Sequence, residues 1–134
     1  MSNCIANEIL KKGKTVLYQT APVLLESVID YKMSKTKNVS ENIYDSVLNT
    51  DLLIIDDLGT ETLNSMKLSE LFTIINTRIL NLNNKITKTI ISTNLTLQDL
   101  AVQYDDRVMS RLIGNYTICR FFGEDIRLKK KKMN

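Results

Sequence analysis

The feature that most constrains this chain is the stretch Asp51-Leu52-Leu53-Ile54-Ile55-Asp56-Asp57-Leu58-Gly59-Thr60-Glu61. A run of apolar residues closed by two adjacent carboxylates and a glycine reads as a strand buried on both faces, the kind that builds parallel sheets. The carboxylates then open at the carboxyl edge of the sheet, where ligands of open α/β folds bind. An ionised group beside a core is costly unless it finds a partner. A hydrated Mg²⁺ carrying nucleotide phosphates is such a partner, because Mg²⁺ takes one or two carboxylates together with phosphate oxygens. The same stretch also fits an ordinary strand running into a helix-capping turn, with both acids solvated.

The flanking sequence alternates helical and strand patterns. Ser2–Lys11 has Cys4, Ile5 and Ile9 at helical spacing, and Gly13 stops it. Thr15–Thr20 is a short β-rich strand. Ala21-Pro22 opens a helix through Leu24, Leu25, Val28 and Ile29 to about Tyr31, with the proline in the first turn, where its missing N–H does no harm. Lys32–Ser40 is a polar surface segment, and Ser40 is a natural N-cap for a helix reaching Asn49. After the central strand, Leu58–Lys67 reads as a loop. The longest helix then runs from Leu68 to about Leu82, with Leu68, Leu71, Phe72, Ile75, Ile79 and Leu82 as its apolar stripe. Lys88–Asn94 is a second short buried strand. Thr96-Leu97-Gln98-Asp99 has capping-box spacing and opens a helix to about Val102. Asp106–Leu112 is another helix, with Val108, Met109 and Leu112 inward and Gly114-Asn115 closing it. Tyr116–Phe122 reads as the last strand. The expected fold is α/β, a parallel sheet flanked by helices, in one domain spanning residues 1–134.

Composition narrows the chemistry. The 134 residues include no histidine, which excludes a Ser-His-Asp triad and a zinc-hydrolase site of the usual kind. Cys4 and Cys119 cannot make a disulfide framework, so a reducing, cytoplasmic setting is expected. No run approaches the ~20 apolar residues of a membrane span, and the start has no signal-peptide pattern. The net charge of +3 comes largely from Lys129–Lys132, so residues 129–134 form a basic tail on a nearly neutral body. Such a run is a solvated end or a phosphate contact. Gly13-Lys14-Thr15 resembles the end of the phosphate-binding pattern G-x-x-x-x-G-K-[ST]. However, Glu8 stands where the first glycine belongs, and a helix precedes it with a strand after it, the reverse of a phosphate loop. It is read as a helix-to-strand turn.

Three features combine. One buried strand ends in Asp56-Asp57, another in Ser92-Thr93-Asn94, and a helix beyond carries Arg107 and Arg111 four apart on one face. If the two strands are neighbours, Asn94 lies beside Asp57, where an amide that both donates and accepts suits a water or a γ-phosphate. Asn94 also fits a cap on the following turn, and the arginines fit surface pairs with Asp105 or Asp106.

The stretches Leu52–Gly59, Ile91–Leu95, Asp106–Leu112 and Tyr18–Leu25 together resemble AAA+ ATPases, most of all the DnaC/DnaI-type helicase loaders and the related IstB transposition helpers. The resemblance runs to about Arg127. It implies a three-layer P-loop NTPase fold, with Asp56 holding the magnesium shell of ATP and Asp57 orienting the attacking water. It further implies Asn94 as sensor 1, Arg111 as arginine finger with Arg107 as the reserve, and Arg127 as sensor 2, unless Arg127 belongs to the basic tail. Many AAA+ proteins have Glu where Asp57 stands. The family's first strand and phosphate loop have no counterpart before the opening helix, so the chain is expected to be an N-terminally truncated ATPase core. The missing strand would lie between Thr89–Asn94 and Thr117–Phe122.

The implied parent protein loads a replicative helicase on single-stranded DNA and self-associates through its arginine-finger face, with Lys32, Lys35 and Lys37 as phosphate contacts. A transposition helper, or a non-enzymatic protein- or DNA-binding module on a degenerate nucleotide fold, remain the alternatives. Residues 1–134 alone are expected not to bind ATP measurably; a fluorescent-nucleotide isotherm at micromolar affinity would contradict this.

Overall fold

A computed structural model describes residues 1–34, 41–81 and 84–123. The elements are α1 (Ser2–Lys11), β1 (Val16–Thr20), α2 (Ala21–Met33), α3 (Glu41–Asn49), β2 (Leu52–Asp56), α4 (Ser65–Leu80), β3 (Lys88–Ile91), α5 (Leu97–Gln103) and α6 (Asp106–Asn115). The three strands form a parallel sheet in the order β1-β2-β3, with Thr20 opposite Asp56 and Ile55 opposite Ile91.

β2 is central and buried on both faces, as its unbroken apolar run requires. Leu53 and Ile55 face the main core, built with Leu24, Leu25 and Val28 of α2, Leu71, Ile74 and Ile75 of α4, and Val108, Met109 and Leu112 of α6. Leu52 and Ile54 face the other way, toward Ala6 and Ile9 of α1. Helices thus cover both faces, giving three layers. Gly13, at φ +73°, turns α1 into β1 at the amino edge of the sheet, opposite the carboxylates.

Helix boundaries follow their caps. α4 starts three residues before the apolar stripe because Asn64 Oδ1 accepts from the Lys67 N–H at 2.8 Å. It ends at Asn81, which takes the left-handed conformation at φ 49°. The expected end at Leu82, and the expected cap Ser40 of α3, lie outside the described residues. The capping box is present: Thr96 Oγ1 accepts from the Asp99 N–H at 3.1 Å, and Asp99 accepts in return from the Thr96 N–H.

One expected element is corrected. Tyr116–Phe122 is not a strand: Tyr116 packs against the core, but residues 117–122 are irregular, with Phe121 72% and Phe122 90% exposed. A strand needs a ladder partner for its backbone groups, and among the described residues none pairs with this segment. β3 is likewise shorter than expected, ending at Ile91. Its other edge carries no strand among the described residues.

The amino edge is tied together by a residue that the apolar pattern conceals. Arg78 of α4 is only 2% exposed. It donates to the carbonyls of Val47 at 2.9 Å and Lys88 at 2.7 Å and to Thr89 Oγ1 at 2.8 Å, with a longer contact to the Leu48 carbonyl. It therefore joins the end of α3 and the start of β3 to α4. Burial pulls its pKa down to about 10, so it stays charged at neutral pH. No carboxylate contacts it among the described residues; the planar fork satisfies backbone oxygens that water cannot reach. Arg78→Met should leave those acceptors unpaired and destabilise the fold by about 3 kcal/mol or more. Arg78→Lys, with one point donor, should recover only part of this. Denaturant unfolding of the three proteins measures both.

Candidate functional site

The carboxyl edge of the sheet gathers the acidic pair, the end of β3 and the start of α6. Asp56, the last residue of β2, is half-buried, and both its oxygens are taken by hydroxyls from the flanking strands. Tyr18 of β1 donates to Oδ2 at 2.9 Å, and Ser92, just past β3, donates to Oδ1. The Ser92 hydroxyl, and secondarily that of Tyr18, hold the Asp56 pKa below the ordinary carboxylate value against the opposing effect of burial. Asp56 is therefore ionised at neutral pH and fixed in place.

Asp57 differs in every respect. It sits at φ 55°, the left-handed region that Asp tolerates better than most residues. Its N–H donates to Ser92 Oγ at 3.3 Å, and its carbonyl accepts from Thr60 Oγ1 at 2.8 Å. Among the described residues its carboxylate has no hydrogen-bond or ion-pair partner. The turn is drawn onto the end of β3 because Leu58 N–H donates to the Ser92 carbonyl at 2.9 Å and Thr93 Oγ1 donates to the Leu58 carbonyl at 2.6 Å. Gly59 then takes φ +104°, and a Cβ there would come within 2.4 Å of Leu95 Cδ1, so only glycine fits.

β2 and β3 are indeed neighbours, which puts Asn94 two residues beyond Ser92 on the same edge. Asn94 is exposed and lines, with Thr93, Leu97 and Phe121, a groove of about 770 Å³. Arg107 and Arg111 both lie on α6 but are engaged differently. Arg107 pairs with Asp105 at 3.0 Å and lies over the Phe72 ring, 5.1 Å from its centroid. Arg111 is half-buried and has no hydrogen-bond or ion-pair partner among the described residues. Arg127 and the basic tail lie outside the described residues, as do Lys35 and Lys37. Lys32 is not a free phosphate contact. It is paired with Glu70, a largely buried carboxylate that needs a cation, and lies 5.3 Å from the Tyr44 ring centroid.

Sequence reasoning missed Tyr18 and Ser92 as site residues. The parallel register sets Ser92 one step beyond the Ile55–Ile91 pair, next to Asp56. That relation exists only once the strands are paired.

Among the described residues no cluster of three His, Cys, Asp or Glu side chains is placed to hold a metal. One ionised carboxylate fixed by two hydroxyls, with an unengaged carboxylate beside it, has the oxygen chemistry that Mg²⁺ takes together with phosphate oxygens. These residues fit that group.

The fold agrees with what the chain resembles. The model of the family described as "IstB-like ATP binding protein" matches residues 1–134. The chain belongs to that family. This IstB-like chain is 28% identical over 117 residues to the replicative helicase loader DnaC of Escherichia coli strain K12, covering 86% of the chain and 45% of that protein. It thus spans less than half the length of the curated relative. Among solved structures, AMPPCP-bound DnaA from Aquifex aeolicus superposes with a TM-score of 0.65 at 28% identity, over 96% of this chain and 38% of that one. A DnaC helicase loader crystal structure gives 0.62 at 26% identity, over 81% and 62%. The fold of the IstB-like chain is that of AAA+ P-loop NTPases. No helix among its described residues is long and apolar enough to cross a membrane.

Among the described residues, Asp51, Asp56 and Asp105 have depressed pKa values. Asp51 accepts from the Thr15 N–H and hydroxyl at 2.8 and 3.0 Å, Asp56 is held as above, and Asp105 accepts from the Val108 N–H. A folded pKa below the unfolded one adds stability at pH above the unfolded value, and that stability is lost as pH falls through the folded one. The thermal midpoint should therefore stay level from neutrality to about pH 5 and drop steeply below about pH 4. Asp51→Asn should lower the neutral midpoint and make the acid drop shallower, as read by circular dichroism melts.

Proposed function

We propose that this chain is the nucleotide-hydrolysing core of a DnaC-type helicase loader, an ATP-driven switch acting in the cytoplasm in DNA replication. The observation that carries the reading is the unequal state of the two adjacent acids. Asp56 is ionised and immobilised by Tyr18 and Ser92, whereas the Asp57 carboxylate projects from a left-handed turn with no partner among the described residues.

Asp56 would hold Mg²⁺ bound with ATP, and the metal would neutralise charge on the phosphates. Asp57 has acceptor oxygens to spare and orients a water for attack on the γ-phosphate, taking up its proton as general base. Asn94, exposed three residues past the end of β3, offers an N–H to the water or to a γ-phosphate oxygen. Arg111, uncommitted within its own chain, reaches the site of an adjoining copy and stabilises charge developing on the transferred phosphoryl group. Arg107 remains the reserve for that role, but its guanidinium is already occupied by Asp105 and Phe72. Arg127 is the proposed sensor 2 residue. The phosphate-cradling loop is proposed to lie outside residues 1–134.

The partners proposed are a replicative helicase, single-stranded DNA and further copies of the same chain. The DnaC relatives favour the helicase, and a solved DnaA neighbour is described as bound to AMPPCP and single-stranded DNA. The family match fits a transposition helper as well. A transposase gene next door would favour that second reading, and replication genes would favour the loader.

In the full-length gene product, Asp57→Asn should cut ATP turnover roughly 100-fold or more while leaving nucleotide affinity unchanged, since Asn also tolerates the left-handed turn. Arg111→Ala should do the same. Mixing the two inactive proteins should restore part of the turnover, because some interfaces then join an intact acid to an intact arginine. No recovery on mixing, or equal loss of nucleotide binding by Arg111→Ala, would count against a finger acting between copies.

A further inference from the structure

Glu61 is a carboxylate only 7% exposed, two residues past the Gly59 turn, and no cation contacts it among the described residues. Both of its partners are neutral. Oε2 accepts from the Gly59 N–H at 2.9 Å, and Oε1 accepts from the hydroxyl of Tyr104, itself 3% exposed. A carboxylate buried among neutral donors is commonly no more stable than an apolar side chain of the same volume. Core stability alone is a weak reason for it.

Its position supplies a better one. Gly59 closes the turn that begins with Asp57, and it abuts Leu95 and Gln103. Tyr104 stands at the elbow between α5 and α6. The next residue, Asp105, caps α6 by accepting from the Val108 N–H at 3.0 Å. Glu61 therefore ties the acidic turn to the start of the helix that carries Arg111. Arg111 lies six residues along from Asp105, about 9 Å at 1.5 Å per residue, so a tilt at the elbow is carried to its side chain. Beside the joint, a hollow of about 310 Å³ lined by Gly59, Glu61, Leu63 and Gln103 gives the glutamate room to shift.

We propose that Glu61 and Tyr104 are positioning residues, a buried hydrogen-bonded joint through which the orientation of α6 and Arg111 follows the Asp57–Gly59 turn. This rests on the reading of Asp57 and Arg111 as two parts of a nucleotide-hydrolysing interface. A directional bond between hydroxyl and carboxylate holds one geometry and can break and re-form as the turn moves, which an apolar contact cannot do so sharply.

Two measurements test it. In the 134-residue chain, Tyr104→Phe should speed amide exchange about tenfold or more at both Gly59 and Val108, with Leu53 and Ile54 unchanged. A uniform rise across the chain, or no change at the two sites, overturns the joint. In the full-length gene product, Tyr104→Phe should lower turnover about tenfold at unchanged KM for ATP, and should cause no further loss in an Arg111→Ala background. Losses that multiply in the double variant overturn it. Glu61→Leu should be as slow as Tyr104→Phe, and full activity in Glu61→Leu also overturns the proposal. A parent protein with no ATP turnover at all removes the nucleotide reading and the proposal with it. Turnover indifferent to Tyr104→Phe removes the joint alone.

Discussion

Everything in this structure depends on β2 being dry on both faces. Its backbone groups cannot turn to water, so they must pair on both sides with β1 and β3. Its side chains need helices above and below, so α1 covers one face and α2, α4 and α6 the other. A strand so confined has one register and one direction. Asp56 and Asp57, the first polar residues after the run, must therefore emerge at a fixed point on the carboxyl edge.

The two edges of the sheet are built on different principles. At the amino edge Arg78 makes a buried network, with its donors aimed at backbone oxygens and at the Thr89 hydroxyl. Asp51 does similar work on the Thr15 turn. At the carboxyl edge, polar groups are held in place but left with unfilled capacity: the side chains of Asp57 and Asn94 have no hydrogen-bond partner among the described residues. A satisfied network gives rigidity, and an unsatisfied one leaves capacity for a ligand. The fold uses the first to hold the second steady.

Hydroxyls carry much of that steadiness. Tyr18 and Ser92 fix Asp56, Thr93 pins the turn at Leu58, and Tyr104 reaches Glu61 across the elbow. Each bridges two elements that are distant in sequence. The acidic turn is thereby linked both to the sheet and to α6, so neither acid is free to move alone. A shift in the turn is felt at the helix start.

The sequence by itself determined the layered α/β plan, the central strand, the acidic pair and the inward face of α6, because each is set by local periodicity or by residues adjacent in the chain. It also read Gly13-Lys14-Thr15 as a helix-to-strand turn rather than a phosphate loop, from the order of the elements and from Glu8. It overextended Tyr116–Phe122 into a strand, since β-propensity cannot report whether a ladder partner stands beside it. It gave no sign that Arg78 of α4 is buried, because a charged residue does not register in an apolar stripe. Only the tertiary structure decided that Tyr18 and Ser92 clamp Asp56, that Lys32 is spent on Glu70, and that Arg107 lies over the Phe72 ring. These are pairings between segments tens of residues apart, and such pairings have no local signature until the parallel register brings the segments together.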